Sequence, residues 1–407
     1  MKAAARWIIT LATCWTVNVA HADTVLDWNK LAIDAVVAAK QPPPVTTRSM
    51  AIVHCAMHDA VSAIEGRYAT YRPTARAPTS ASADAAAAGA AHAVLVRLFP
   101  DQKRAFDAAL AAALIDSMGT AEEREVGVAF GATVGAELFA ARVEDGTAAS
   151  GPYRPLAIPG RYTGTALPAF GAWAGAKPFV MARPDQFRPG PPPALTSAQW
   201  AADYNEIKSM GGKASASRSK EQTEIAQFWI VTGAPAYNSI VRELAGRGAR
   251  TLSQNARLFA LVYLGLADSL VAVFDAKYAY EFWRPMTAIR NGDLDGNDAT
   301  PVDLAWMPLV ENPPHPEYPC AHCINAATAV AVLESEFGNG TLESFSMVSP
   351  TLPNVVRTWT RLGDLVPEVS NARVWGGVHY RNSALVAEKM GRDIGEMTAR
   401  EMLKPVK

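Results

Sequence analysis

Charge is scarce and evenly matched in this 407-residue chain. Asp, Glu, Lys and Arg make up 19%, and 38 basic against 39 acidic side chains leave a net of −1. That balance gives no polybasic footprint for nucleic acid or an anionic lipid surface, so no nucleic-acid partner is expected. Cysteine is rarer still, at four residues, too few for a disulfide scaffold. Long apolar runs are missing beyond the N-terminus. The most apolar later stretch, residues 258–274, is interrupted by Asp268 and reads as a buried helix, not a membrane span. No alternating apolar–polar run is long enough to build a sheet.

The first residues carry a different signal. Lys2 and Arg6 precede a short apolar run over residues 7–19, followed by Ala20-His21-Ala22. A basic start, a run too short to span a bilayer and small residues at the cleavage positions read as a secretory signal over residues 1–22. The mature protein is therefore expected to be exported, periplasmic or secreted, without membrane attachment after cleavage. Cys14 leaves with the signal. Cys55, Cys320 and Cys323 remain in an oxidising compartment, where at most one disulfide is expected, with Cys320–Cys323 and Cys55–Cys323 as the candidates and a thiol left over.

What is abundant is alanine and helical periodicity. Met50, Val53, Met57, Ala60, Val61 and Ile64 recur at three and four, the apolar face of one helix. Thr120 with Glu123 spells a capping box ahead of a helix to about Val143, and Thr196 with Gln199 opens another. Helical pattern continues through 219–232, 238–247 and 254–283, and returns near 321–337 and 384–402. Residues 150–194, rich in Gly, Pro and aromatics, read as a long ordered loop. The fold class is all-α, as helical bundles. The expected organisation is an N-terminal helical region over 23–194, ending in that loop, and a C-terminal helical region over 195–407.

Three segments carry candidate chemistry. Lys277 and Arg284-Pro285 lie seven residues apart, so on one continuous helix both cations share a face, roughly 10 Å apart along the axis. Phe274, Tyr278, Phe282 and Trp283 flank them, and cations among aromatics are buried and need an anion. In the run from His315 to Cys323, a Pro-rich loop enters an apolar helix whose free N–H groups favour an anion, with His322 in the first turn. In the run from Arg373 to His379, Arg373 can grip two oxygens, Gly376 and Gly377 allow close backbone approach, and His379 can attack or ligate a central atom.

Together these segments resemble the signature of the vanadium haloperoxidase/type-2 acid phosphatase superfamily: Lys, six residues, Arg-Pro; a Pro-Ser-Gly-His block; and Ser-Arg, five residues, His. Thirty-three residues separate Pro285 from Pro319 and 49 separate His322 from Ala372, both typical of the family. The resemblance is strong over about 255–390 and extends weakly to residues 52–61. It implies vanadate as cofactor, or phosphate in the same place. Lys277, Arg284 and Arg373 would hold equatorial oxygens, with Cys320, Ala321, Gly376 and Gly377 around them. His379 would ligate vanadium or act as phosphoryl nucleophile, and His322 would be the acid–base group. One set of cations serves both ions, because vanadate and the phosphoryl transition state are both five-coordinate oxyanions.

The implied activity is oxidation of halide by hydrogen peroxide on small-molecule substrates. The alternatives are a non-specific acid phosphatase working through a phosphohistidine at His379, or an inactive oxyanion-binding protein that keeps the fold. His315, five residues before Cys320, stands where relatives vary with halide, and points to bromide or iodide over chloride. Departures from the signature are Cys320 for Ser, Ala321 for Gly, Ala372 for Ser, and Ser383 where an Asp often orients the nucleophilic His. His54 and His58, at i and i+4, could ligate zinc but read as a packed core His and a partly exposed one. Asp293, Asp295, Asn297 and Asp298 lack the glycine of a calcium loop and read as a polar turn.

Overall fold

The computed structural model describes residues 23–148, 153–164 and 167–406, so the expected signal and Cys14 lie outside the described residues. Thirteen α-helices run through them. They are α1 (Thr24–Ala38), α2 (Pro43–Glu65), α3 (Ala83–Leu98), α4 (Lys103–Asp116), α5 (Ala121–Ala140), α6 (Ala198–Met210), α7 (Lys220–Phe228), α8 (Ala234–Ala245), α9 (Leu252–Tyr280), α10 (Pro285–Arg290), α11 (Ala321–Phe337), α12 (Leu365–Trp375) and α13 (Arg381–Glu401). Thr120 caps α5 with Glu123 in a reciprocal box, as the sequence indicates, whereas α6 is capped by Ser197 and not Thr196.

The 29-residue α9 is the axis of the fold and packs against α2, α11 and α13. Among the described residues it alone is long and apolar enough to cross a membrane, and it is buried throughout the protein interior. Asp268 at its middle accepts the backbone N–H groups of Phe179, Val180 and Met181. The polar break in the apolar run thus satisfies residues 179–181, which would otherwise carry unpaired backbone donors. Arg188 adds a two-bond clamp to Asp275 of the same helix. Residues 179–188 are therefore strapped along α9. The main hydrophobic core takes residues from both sides of position 195, from Val25 to Leu403.

Close helix approach is set by glycine. On α5, a Cβ on Gly131 would lie 1.9 Å from the Ala86 carbonyl oxygen of α3. Gly131→Ala is expected to lower unfolding free energy by about 1–3 kcal/mol, because backbone and not a flexible side chain must yield. Urea melts of the two proteins check this.

Several expectations need correction. A two-stranded antiparallel hairpin exists, β1 (Phe345–Ser349) and β2 (Leu352–Trp359). The sequence gives little sign of it, because β2 is largely exposed and shows no clean alternation. The long helix ends at Tyr280, not 283. Glu281 adopts a left-handed conformation (φ 48°) and Arg284 is the residue preceding α10, so Lys277 and Arg284 are not on one helix face. All three described cysteines are free and buried, with neither expected disulfide formed. His54 bonds the Asn29 amide and His58 the Ala69 carbonyl. His58 is wholly buried rather than partly exposed. Asp295 is satisfied by Trp200, Asn297 and Thr300, so the 293–298 turn is internally bonded.

Candidate oxyanion site

Four elements converge at the C-terminal end of α9. Lys277 sits in the last turn of α9, and its Nζ donates to the Pro316 and Glu317 carbonyls at 2.9 and 2.7 Å. The αL turn at Glu281 reverses the chain and brings Arg284 back beside the same loop. Arg284 donates to the carbonyls of His315 and Val378, and its terminal nitrogens approach His315 Nδ1 (3.0 Å) and His379 Nε2 (3.3 Å). Arg373 lies in the last turn of α12 and donates through one terminal nitrogen to Trp229 O at 2.9 Å. Its Nε is buried and has no partner among the described residues. The helix α12 was not anticipated, since Pro367 reads as a breaker, yet in a first turn proline costs no hydrogen bond.

His379 is 1% exposed and its Nδ1 lies 2.7 Å from Glu317 Oε1. A carboxylate accepts, so Nδ1 carries the proton and Nε2 keeps its lone pair. Glu317 also accepts the Tyr380 N–H, and the Ser383 hydroxyl neighbours it. The group orienting His379 is thus Glu317, from a distant loop, and the Ser383 hydroxyl makes no hydrogen bond to the ring. The sequence carried one hint: Glu317 is the only acid between His315 and Cys323, beside imidazoles that need a partner.

His322 occupies the first turn of α11, and its Nε2 donates to Ile230 O at 3.1 Å. Since a carbonyl only accepts, Nδ1 is left free for proton transfer. His315 Nδ1 lies between an Arg284 guanidinium nitrogen at 3.0 Å, which can only donate, and the Pro316 carbonyl at 3.1 Å, which can only accept. The ring also meets the Phe274 edge at 5.3 Å. The N–H groups of Ala321 and His322, at the start of α11, find no acceptor among the described residues, as suits an anion at a helix N-terminus.

Cys320 precedes α11 and accepts the Cys323 N–H at 3.3 Å. Burial raises its thiol, but the Cys323 side chain, the charge of Arg373 and that N–H outweigh it, and the net direction is down. Gly376 and Gly377 do not serve as ligand donors, contrary to expectation. Their N–H groups close the end of α12 on the Ala372 and Val374 carbonyls. A Cβ on Gly377 (φ 79°) would meet Gly211 O at 2.3 Å. These glycines let two backbones touch and so fix where His379 leaves the helix.

The electrostatics call for a guest. Lys277, Arg284 and Arg373 are all at most 2% exposed, and the one carboxylate among them is Glu317. Burial holds Lys277 well below its usual range and lowers Arg284 to about 10. Burial also pushes Glu317 up to about 7 despite Lys277 and Arg284. His322 and His379 are held well below the usual imidazole value by burial and these cations, and stay neutral. Buried cations in excess of carboxylates are costly unless an anion joins them. The unpartnered Arg373 Nε, the two open helix N–H groups and the His379 lone pair fit a small oxyanion such as vanadate or phosphate. A cavity of about 340 Å³ opens onto His315, Ala321, His322 and His379.

Comparison with known proteins gives the family. Residues 18–169 match the vanadium chloroperoxidase N-terminal domain, and residues 257–407 match the second helical-bundle domain of the same family. Vanadium chloroperoxidase of Curvularia inaequalis is 25% identical over 268 residues, half of this chain and 44% of that protein. The match therefore spans less than half the length of that curated relative. Among solved structures, a bacterial vanadium-dependent iodoperoxidase superposes with a TM-score of 0.78 at 22% identity, covering 94% of this chain and 96% of that one. A bacterial vanadium-dependent chloroperoxidase in its apo form gives 0.70 at 18% identity, covering 88% and 92%. With both family domains matched in chain order on a shared helical fold, the chain belongs to the vanadium haloperoxidase family.

Proposed function

We propose that this chain is a vanadate-dependent haloperoxidase that oxidises bromide or iodide, rather than chloride, with hydrogen peroxide. The observation that carries this is the excess of buried cations over carboxylates around a histidine whose Nε2 is held as an acceptor, with Arg284 as its neighbour at 3.3 Å. Lys277, Arg284 and Arg373 hold the oxygens, helped by the Ala321 and His322 N–H groups. Glu317 fixes the ring and tautomer of His379, which ligates the ion through Nε2. His322, tethered by Nε2, moves protons at Nδ1. Bound vanadate supplies a Lewis-acidic centre at which peroxide is activated for two-electron oxidation of halide. The protein acts on small molecules outside the cytoplasm, on the strength of residues 1–22 of the sequence.

The halide preference rests on His315 at the cavity wall, an imidazole beside the Phe274 ring. Purified protein loaded with orthovanadate is expected to oxidise iodide and bromide, with chloride slower by about tenfold or more, a difference of about 1.4 kcal/mol in barrier. Efficient chloride oxidation would overturn the preference. Hydrolysis of p-nitrophenyl phosphate without halide oxidation would make it a phosphatase using His379. Tight vanadate binding with neither activity would make it an inactive oxyanion-binding protein.

Cys320 bears on the same site. As a thiolate it competes with the guest for Arg373, and as a thiol it donates weakly where a hydroxyl would bind an oxygen. Cys320→Ser is expected to tighten vanadate binding roughly 3- to 10-fold, the worth of one ordinary hydrogen bond. The variant should also keep activity during peroxide exposure that slowly inactivates the parent, because the oxidisable sulfur is gone. Equal affinity and equal peroxide tolerance in the two proteins would remove this role.

A further inference from the structure

Two buried thiols bracket the start of α11. Cys320 precedes the helix, Cys323 lies in its first turn, and neither is exposed. The Cys320 sulfur accepts the Cys323 N–H at 3.3 Å, and the two side chains are themselves in hydrogen-bond contact. The Ser370 side chain, from α12, also bonds Cys323. Between the two cysteines lie only Ala321 and His322, which supply the open N–H groups and the acid–base imidazole of the site. Cys55 packs in a separate cluster of the core, which leaves Cys323 as the thiol neighbour of Cys320.

This pairing decides what oxidation does. A lone thiol that meets excess peroxide proceeds to sulfinic and sulfonic acid, which are not recovered. A second thiol in contact intercepts the first product, because sulfenic acid condenses with a thiol to a disulfide. The cavity reaches Ala321 and His322, so peroxide that enters the site arrives one residue from Cys320. Bonding requires the two sulfurs to close from hydrogen-bond contact to about 2.05 Å. The movement falls on the turn that carries Ala321 and His322, and a misplacement of about 1 Å in such a site costs about 100-fold.

We propose that Cys320 and Cys323 form a peroxide-operated switch: excess hydrogen peroxide closes them into a disulfide, which shuts the oxyanion site reversibly. This rests on the haloperoxidase reading, which supplies peroxide as a reactant. The Cys320 sulfur attacks one peroxide oxygen. A sulfur–oxygen bond forms, the O–O bond breaks with its pair going to hydroxide, and the thiol proton joins that hydroxide as water. The Cys323 sulfur then attacks the sulfenic sulfur. The S–S bond forms, the sulfur–oxygen bond breaks with its pair going to hydroxide, and the Cys323 proton makes a second water. The two thiols together lose two electrons, and one peroxide takes them. A thiol reductant reverses the change by exchange.

For the test, full-length protein is reduced with dithiothreitol, desalted and exposed to hydrogen peroxide without halide or vanadate. The expected result is a loss of two hydrogens in intact mass, a Cys320–Cys323 link in peptide mapping, and phosphate affinity lower by about tenfold or more, as a displaced donor set implies. A second reduction and desalting should restore phosphate affinity and, after vanadate loading, iodide oxidation. Cys323→Ser should keep iodide oxidation within about twofold of the parent, since the hydroxyl still donates and accepts beside Ser370. Under the same exposure that variant should gain oxygen at Cys320, and dithiothreitol should no longer restore it. Oxygen added at Cys320 of the parent without a link would overturn the proposal. So would thiols that survive peroxide, or a link that leaves phosphate affinity unchanged. If the reduced, vanadate-loaded protein oxidises no halide, the haloperoxidase reading fails, and the mass and phosphate measurements still decide the switch.

Discussion

His379→Ala is expected to reduce vanadate-stimulated iodide oxidation by at least about 1000-fold, the scale seen when one member of a cooperating catalytic set is removed. His379 is the imidazole in the site whose one nitrogen is held by a buried carboxylate, which leaves the other, beside Arg284, with its lone pair. Alanine removes that lone pair and leaves Glu317 without its N–H partner. The surrounding helices do not depend on the ring, so far-ultraviolet circular dichroism should be unchanged. Residual iodide oxidation within tenfold of the parent would mean that the ion is held elsewhere.

Arg373→Met should act in opposite directions on binding and on folding. The guanidinium makes one hydrogen bond, to Trp229 O, and its Nε has no partner among the described residues. Without a guest it is a buried cation in a site that already holds Lys277 and Arg284. Replacing such a group by an apolar chain of similar length is expected to stabilise the anion-free protein by about 1–3 kcal/mol. Vanadate affinity should fall about 100- to 1000-fold, the usual cost of losing one preorganised donor. Added phosphate should raise the melting temperature of the parent far more than that of the variant, because ligand stabilisation follows affinity. A variant that is less stable without anion, yet still stabilised by it, would show that Arg373 is a structural group.

Much of this site can be read in the sequence, because its parts are compact motifs with demanding spacing. Lys277, Arg284, His322, Arg373 and His379 do meet in space. So does the helix following Cys320, whose span of Ala321–Phe337 coincides with the apolar periodicity. What escapes sequence reading is how the chain turns between the motifs. The reversal at Glu281 uses a left-handed non-glycine residue, which leaves no glycine to mark it, so two cations that meet through a turn look like neighbours on a helix. The α12 start is hidden by Pro367. Glu317 is 62 residues from the histidine it orients, and no local pattern links them. Gly376 and Gly377 look like a ligand-binding pair because a need for space is visible in sequence, whereas what fills the space, here Gly211, is not.

The most direct measurement is a crystal structure of the protein with orthovanadate, locating vanadium by its anomalous signal. Vanadium bonded to His379 Nε2, with Lys277, Arg284 and Arg373 turned toward its oxygens, is the expected result. Vanadium bound at another place, or at His379 with those cations still engaged only with backbone carbonyls, would contradict the account.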